Sequence, residues 1–152
     1  MKIIENGIYD EERAFYGERG IICKGVKIDG PADGESAFKE CDDVATENCY
    51  FNLRYPFWHV DGLKITGTEL TDTCRAALWY SRDIEIRDSR LHGIKALREC
   101  ENISLERCTA ISTEFGWRCR GINVRESEIT SEYFLFESRD IKLDQFTLNG
   151  KY

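Results

Sequence analysis

The stretch Ser81–Leu91, S-R-D-I-E-I-R-D-S-R-L, decides the fold. Apolar Ile84 and Ile86 alternate with charged neighbours as in a half-buried strand, and Ser89 and Leu91 repeat the alternation after a two-residue break. The same frame recurs along nearly the whole chain. Anchored on the first interior residue of each copy, it falls at Ile21, Val44, Leu63, Ile84, Ile103, Ile122 and Ile141, with spacings of 23, 19, 21, 19, 19 and 19 residues. Two, five and seven positions after each anchor the residues are apolar or small, from Cys23, Val26 and Ile28 in the first copy to Leu143, Phe146 and Leu148 in the last. A near-fixed period of this size is the signature of a stacked repeat.

The residue before each anchor is Gly20, Asp43, Gly62, Asp83, Asn102, Gly121 and Asp140. Gly, Asp and Asn tolerate a left-handed backbone at low cost, so a sharp bend is expected at the entry to every strand. Third stretches, from Ser36–Glu40 and Tyr55–His59 to Tyr133–Glu137, complete coils of three short strands. The reading is all-β, a parallel β-helix of about seven coils with a period of about 19 residues. Residues 1–20 fit the frame poorly and read as a cap and partial coil, with the charged run Asp10–Arg13 as a polar cover; 21–152 are the coils. The longer spacings place insertions at Gly30–Glu35 and around Thr71–Arg75. The rival, a leucine-rich repeat, shares the spacing of apolar positions. It would want Leu three before the anchor, where Cys, Val and Ser stand, and helix formers where Trp, Tyr and Phe stand.

Composition narrows the partners. A net charge of −7 argues against nucleic acid and against anionic membranes. No apolar run approaches the roughly 18 residues that span a bilayer, and Met1–Asp10 lacks a signal-peptide core, so the expected location is cytoplasmic. Each of Cys23, Cys41, Cys49, Cys100, Cys108 and Cys119 shares a repeat column with Ser, Thr or Val, so reduced, packed thiols are expected. There is no C-x-x-C pair, and no metal or cofactor is expected.

The segments G-P-A-D-G-E-S-A-F-K-E-C (Gly30–Cys41), N-L-R-Y-P-F-W-H (Asn52–His59), C-R-A-A-L-W-Y-S (Cys74–Ser81), H-G-I-K-A-L-R-E-C (His92–Cys100) and E-F-G-W (Glu114–Trp117) resemble a bacterial family of uncharacterised proteins that carry a domain of unknown function. The resemblance spans nearly the whole chain. It implies a single-stranded right-handed β-helix of the pectin-lyase-like type, handedness included, and brings no reaction with it. Members, by the same resemblance, run on for several more coils, whereas this sequence stops at Asn149-Gly150-Lys151-Tyr152. An open end carrying Phe146, Leu148 and Tyr152 predicts burial in a homo-oligomer, or a truncated form.

Of the motifs used by pectin-degrading members of that fold, only Asp42-Asp43 and His92-Gly93 occur, and both read more simply as a bend and a loop. More informative is the column five before the anchor, Lys39, Trp58, Trp79, Arg98, Trp117 and Phe136. Lys and Arg are costly inside, so the column is expected to face outward. Trp58, Trp79, Arg98, Trp117 and Phe136 then form a ladder on which an oligo- or polysaccharide could stack; the bland alternative is packing under loops or at an interface. Beside it run Glu40, His59, Tyr80, Glu99, Arg118 and Glu137, with ion pairs expected for Glu99–Arg118 and Glu40–His59. Glu40 and Glu99, three coils or about 14 Å apart, are too distant for a glycosidase pair. The catalytic candidates are His59, Glu99 and Arg75. A non-catalytic binding or scaffold module leads, and a carbohydrate-active enzyme is the alternative.

Overall fold

A computed structural model describes residues 2–10, 13–30 and 36–150. The charged run at Glu11 and Glu12, most of the Gly30–Glu35 insertion and the terminal Tyr152 lie outside the described residues. Among those described the chain is all β, with three parallel sheets stacked as a solenoid. The first sheet has eight strands in simple chain order: Lys2–Glu5, Arg19–Lys24, Asp42–Glu47, Asp61–Thr66, Arg82–Arg87, Glu101–Glu106, Arg120–Arg125 and Arg139–Asp144. The second sheet also has eight strands and the third has five. Register follows the repeat without slippage: Val44 pairs with Leu63, Leu63 with Ile84, and Ile84 with Ile103. Lys2–Glu5 pairs with the strand above it, Lys2 opposite Ile21, so the N-terminal segment lies in the solenoid as a first, irregular coil.

The expected bend is present in every copy. Gly20, Asp43, Gly62, Asp83, Asn102, Gly121 and Asp140 all have φ between 54° and 82°. Two further left-handed columns were not foreseen. Four after the anchor come Gly25, Asn48, Gly67, Asp88, Arg107, Glu126 and Gln145; four before it come Gly17, Glu40, His59, Tyr80, Glu99, Arg118 and Glu137. These three columns, with a fourth left-handed residue on the third face, turn the chain from face to face. They are held there by the next coil: the amides of Glu40, His59, Tyr80, Glu99 and Arg118 donate to the carbonyls of Trp58, Trp79, Arg98, Trp117 and Phe136 at 2.7–3.1 Å.

The interior is filled by the predicted columns. Ile21, Leu63, Ile84, Ile65, Ile86, Leu70 and Leu91 are all buried, each worth roughly 1.5–3 kcal/mol of transfer free energy. A phenylalanine stack runs through the third face, Phe15 on Phe38 at 5.1 Å and Phe38 on Phe57 at 5.2 Å. It resumes as Phe115 on Phe134 at 5.9 Å, and Phe146, just before the second-sheet strand Thr147–Gly150, stacks on Phe134 at 5.7 Å. Between these runs the third face changes its corner. Its left-handed residue is Ser36, Tyr55, Ala76 and Lys95 in earlier coils, and two positions later in the repeat, at Gly116 and Leu135, in the last two.

All seven cysteines are buried and free. Their columns want more than small size. Ser, Thr and Cys there cap backbone groups at the bends: Cys49 donates Sγ–H to the Cys23 carbonyl, Cys108 to that of Ile86, and Cys100 to that of Leu78. The Ser81 hydroxyl donates to the Phe57 carbonyl and accepts from the Val60 amide. Burial pushes Cys23 up to about 12 and Cys41 and Cys74 up to about 11, so these thiols stay protonated.

In the final coil Ile141 and Leu143 are 41% exposed and Leu148 is 39% exposed.

Candidate functional site

The third strands place the tryptophan column. Phe57, Leu78 and Leu97 point into the core, and their successors Trp58, Trp79 and Arg98 stand half-buried on the outer face. Register stacks them one above another, Trp58 on Trp79, Trp79 on Arg98, Arg98 on Trp117 and Trp117 on Phe136. The column thus faces outward, and its members touch each other. Trp58 and Trp79 lie face to face at 5.3 Å and 11°. The Arg98 guanidinium sits between two indoles, 5.2 Å from the Trp79 centroid and 4.1 Å from that of Trp117. Lys39 Nζ closes one end 4.5 Å from the Trp58 ring, and Arg118 lies 5.1 Å from the Trp117 ring. Ring faces are therefore largely consumed within the ladder, and mainly edges and the terminal Phe136 remain for a ligand. Trp79 Nε1 and Arg98 Nε are buried donors without a hydrogen-bond partner among the described residues. Stacking has to offset that cost, about 1–3 kcal/mol per group.

Beside the ladder, the left-handed column four before the anchor and the outward residues two before it form the walls of a cleft of about 600 Å³. Glu40, His59, Tyr80 and Glu99 stand on one side, with Asp42, Asp61, Arg82 and Glu101 on the other. Bulky or charged residues seldom take positive φ, and a whole column of them brings large polar side chains to the rim at coil spacing. Tyr80, 46% exposed, stacks on Trp79 at 5.4 Å, so cleft and ladder share a wall. Tyr16 donates its hydroxyl to Glu40 at 2.9 Å, and that contact raises the phenol's pKa.

The catalytic candidates are dispersed. His59 Nδ1 lies 4.0 Å from Glu40 Oε1, so the two neighbours expected to pair do stand together. Glu99 faces the same cleft, but its nearest cation is Arg98 at 4.0 Å. The expected Glu99–Arg118 pair is not formed. Arg118 instead donates Nε–H to Glu137 on the next coil at 2.7 Å and holds that carboxyl below the usual range. Arg75 lies in the insertion before the third strand and does not line the cleft. Asp43 fills a bend and Asp42 pairs with Arg19 at 3.4 Å. Gly93 is required by close approach, since a Cβ there would lie 1.9 Å from the Cys74 carbonyl oxygen. His92 is half-buried beside it, its Nε2 unpartnered among the described residues. No grouping of His, Cys, Asp and Glu suited to a metal ion occurs among the described residues.

A drier cleft of about 790 Å³ follows the bends before the anchors, because each coil turns inward there. Its polar groups are largely spent on one another: Asn102 donates to Asp83 at 3.0 Å, and Asp43 lies over Gly62. It offers shape and little convergent chemistry.

No curated protein and no solved structure matches the chain. Over residues 2–152 the sequence matches the family model described as protein of unknown function (DUF3737). The chain, a parallel β-solenoid with a polar cleft beside a self-stacked tryptophan–arginine ladder, belongs to that family.

Proposed function

We propose that the protein is a non-catalytic β-helix binding module, and that an extended, hydroxyl-rich ligand of the oligo- or polysaccharide class lies along the 600 Å³ cleft. One observation carries the reading: Glu40, His59, Tyr80 and Glu99, on successive coils, are all held in left-handed backbone at the rim. That arrangement presents hydrogen-bonding groups at a step of about 4.8 Å along a straight track. The ladder's part is to stiffen the wall and offer indole edges and Tyr80, while its ring faces stay paired. A relationship to the pectin-lyase-like proteins, with their right-handed coil, fits this reading.

The second reading is a carbohydrate-active enzyme, favoured by His59 and Glu40 standing 4.0 Å apart in a cleft with further carboxylates. A glycan array, followed by Tyr80→Ala and Trp79→Ala, separates the two. Binding that Tyr80→Ala weakens at least tenfold, without release of reducing sugar, supports the module. Cleavage that is lost in His59→Ala supports the enzyme. Absence of binding to any neutral or charged glycan sinks both.

A further inference from the structure

The cleft continues past Glu101 into a pocket of about 450 Å³ lined by Glu101, Arg118, Cys119, Arg120, Glu137 and Arg139. Charge inverts along the way. The earlier stretch carries Glu40, Asp42, Asp61, Glu99 and Glu101 against Arg82 and His59, whereas the later one carries three arginines against Glu101 and Glu137.

The pairing of those arginines decides what the pocket can hold. In the column two before the anchor, Arg19 pairs with Asp42 at 3.4 Å and Arg82 with Asp61 at 2.8 Å. Arg120 and Arg139 belong to the same column and are register neighbours; Arg120 has Glu101 opposite it on its other side, yet neither arginine forms an ion pair within 4.0 Å among the described residues. Arg118 lies across the buried Cys119 from Arg120, engaged through Nε with Glu137 and stacked on Trp117. Two like charges directly opposite in a parallel ladder are destabilising. An anion between them reverses the sign of that interaction, and the guanidinium forks suit a planar or tetrahedral oxyanion bound by two parallel N–H bonds each.

We infer that Arg120 and Arg139, with Arg118 at the rim, form an oxyanion site. It takes a phosphate, sulfate or carboxylate, whether a free anion or a substituent on a longer ligand. The carboxylates of the neighbouring stretch exclude an anion there, so the site fixes which end of a ligand lies at this end of the cleft. The inference does not rest on the saccharide reading, because inorganic phosphate alone tests it.

The experiment titrates inorganic phosphate into the full chain at constant ionic strength, with chloride as the balancing anion, by calorimetry and thermal melting. Saturable binding and a melting temperature raised over the chloride control are expected. Each of Arg120→Gln and Arg139→Gln should weaken binding roughly tenfold or more, from loss of charge-assisted bonds. Arg19→Gln, at the far end of the same column, should leave it unchanged. The melting temperature in chloride alone checks folding: Arg139→Gln removes one of two facing like charges and should hold or raise it, while Arg120→Gln also removes the cation opposite Glu101 and should change it little. Equal melting in phosphate and chloride, or phosphate binding that survives the double substitution, overturns the site. A sulfated oligosaccharide and its desulfated parent then separate the sources. A preference for the sulfated form lost in the double variant makes the anion a ligand substituent; phosphate binding without that preference makes it a free anion. Failure of glycan binding with phosphate binding intact would refute the saccharide reading alone.

Discussion

Replacing Arg98 by alanine should remove about 2 kcal/mol of stacking energy, unevenly shared between its two tryptophan neighbours. The guanidinium lies 4.1 Å from the Trp117 centroid and 5.2 Å from that of Trp79, and the side chain is only 19% exposed. Cation–π contacts run from about 0.5 kcal/mol in water to about 2 when desolvated, so the nearer contact is assigned about 1.5 and the farther about 0.5. A double-mutant cycle measures each directly. Urea unfolding of the wild type, Arg98→Ala, Trp117→Leu, Trp79→Leu and the two pairs, followed by far-ultraviolet circular dichroism, should give a larger coupling with Trp117 than with Trp79. The urea slope must stay constant across the set, because a solenoid can lose cooperativity. Couplings below about 0.3 kcal/mol for both pairs would mean that the ladder is not an internally bonded wall. The ring faces would then be free for a ligand, and the argument that moves the ligand into the cleft would fail.

Other consequences can be checked independently. Gly93→Ala forces a Cβ to within 1.9 Å of a buried carbonyl oxygen and should destabilise by about 3 kcal/mol, the upper end for overpacking. Gly17→Ala has φ of +70° and open space around it, so only left-handed strain of about 1 kcal/mol is expected; equal melting of the two variants would refute the close-approach reading. All seven thiols are buried, and burial holds Cys23, Cys41 and Cys74 above their ordinary pKa, so none should react with a thiol reagent at pH 8 in the folded protein and all seven should react in denaturant. Asp88 is held below its ordinary pKa by hydrogen bonding to Arg107. Because its folded pKa is the lower one, the pair's contribution is present above the unfolded value of about 3.8 and is lost as pH falls through the folded one. Arg107→Gln should therefore lower the melting temperature at pH 6 more than at pH 2.5, and a difference independent of pH would contradict the pairing.

The bends before the anchors were legible because Gly, Asp and Asn are the cheap left-handed residues and all seven copies use them. The column four after the anchor was half-legible, with Gly25, Asn48, Gly67 and Asp88 giving way to Arg107, Glu126 and Gln145. The column four before the anchor was not legible. Glu40, His59, Tyr80, Glu99, Arg118 and Glu137 carry no local preference for that backbone, and amides bonded to the next coil impose it. That column proved to be the rim of the cleft, so the residues hardest to place were those nearest the candidate function. The outward direction of the tryptophans followed from the cost of burying Lys39 and Arg98 in the same column. Their mutual stacking did not, since it depends on side chains leaning along the ladder at a spacing that equally permits open rings. Arg118 illustrates the same limit: sequence spacing offers Glu99 and Glu137 as equivalent partners, one coil to either side, and only the side-chain direction selects Glu137.

The most direct test of the central claim is a comparison of glycan affinity for His59→Ala, Tyr80→Ala and Phe136→Ala against the wild type, on whichever glycan the array selects. His59 and Tyr80 line the cleft, whereas Phe136 ends the ladder outside it. The account predicts at least tenfold weaker binding for the first two and little change for Phe136→Ala. Loss confined to Phe136→Ala would place the ligand on the aromatic ladder and contradict the assignment to the cleft.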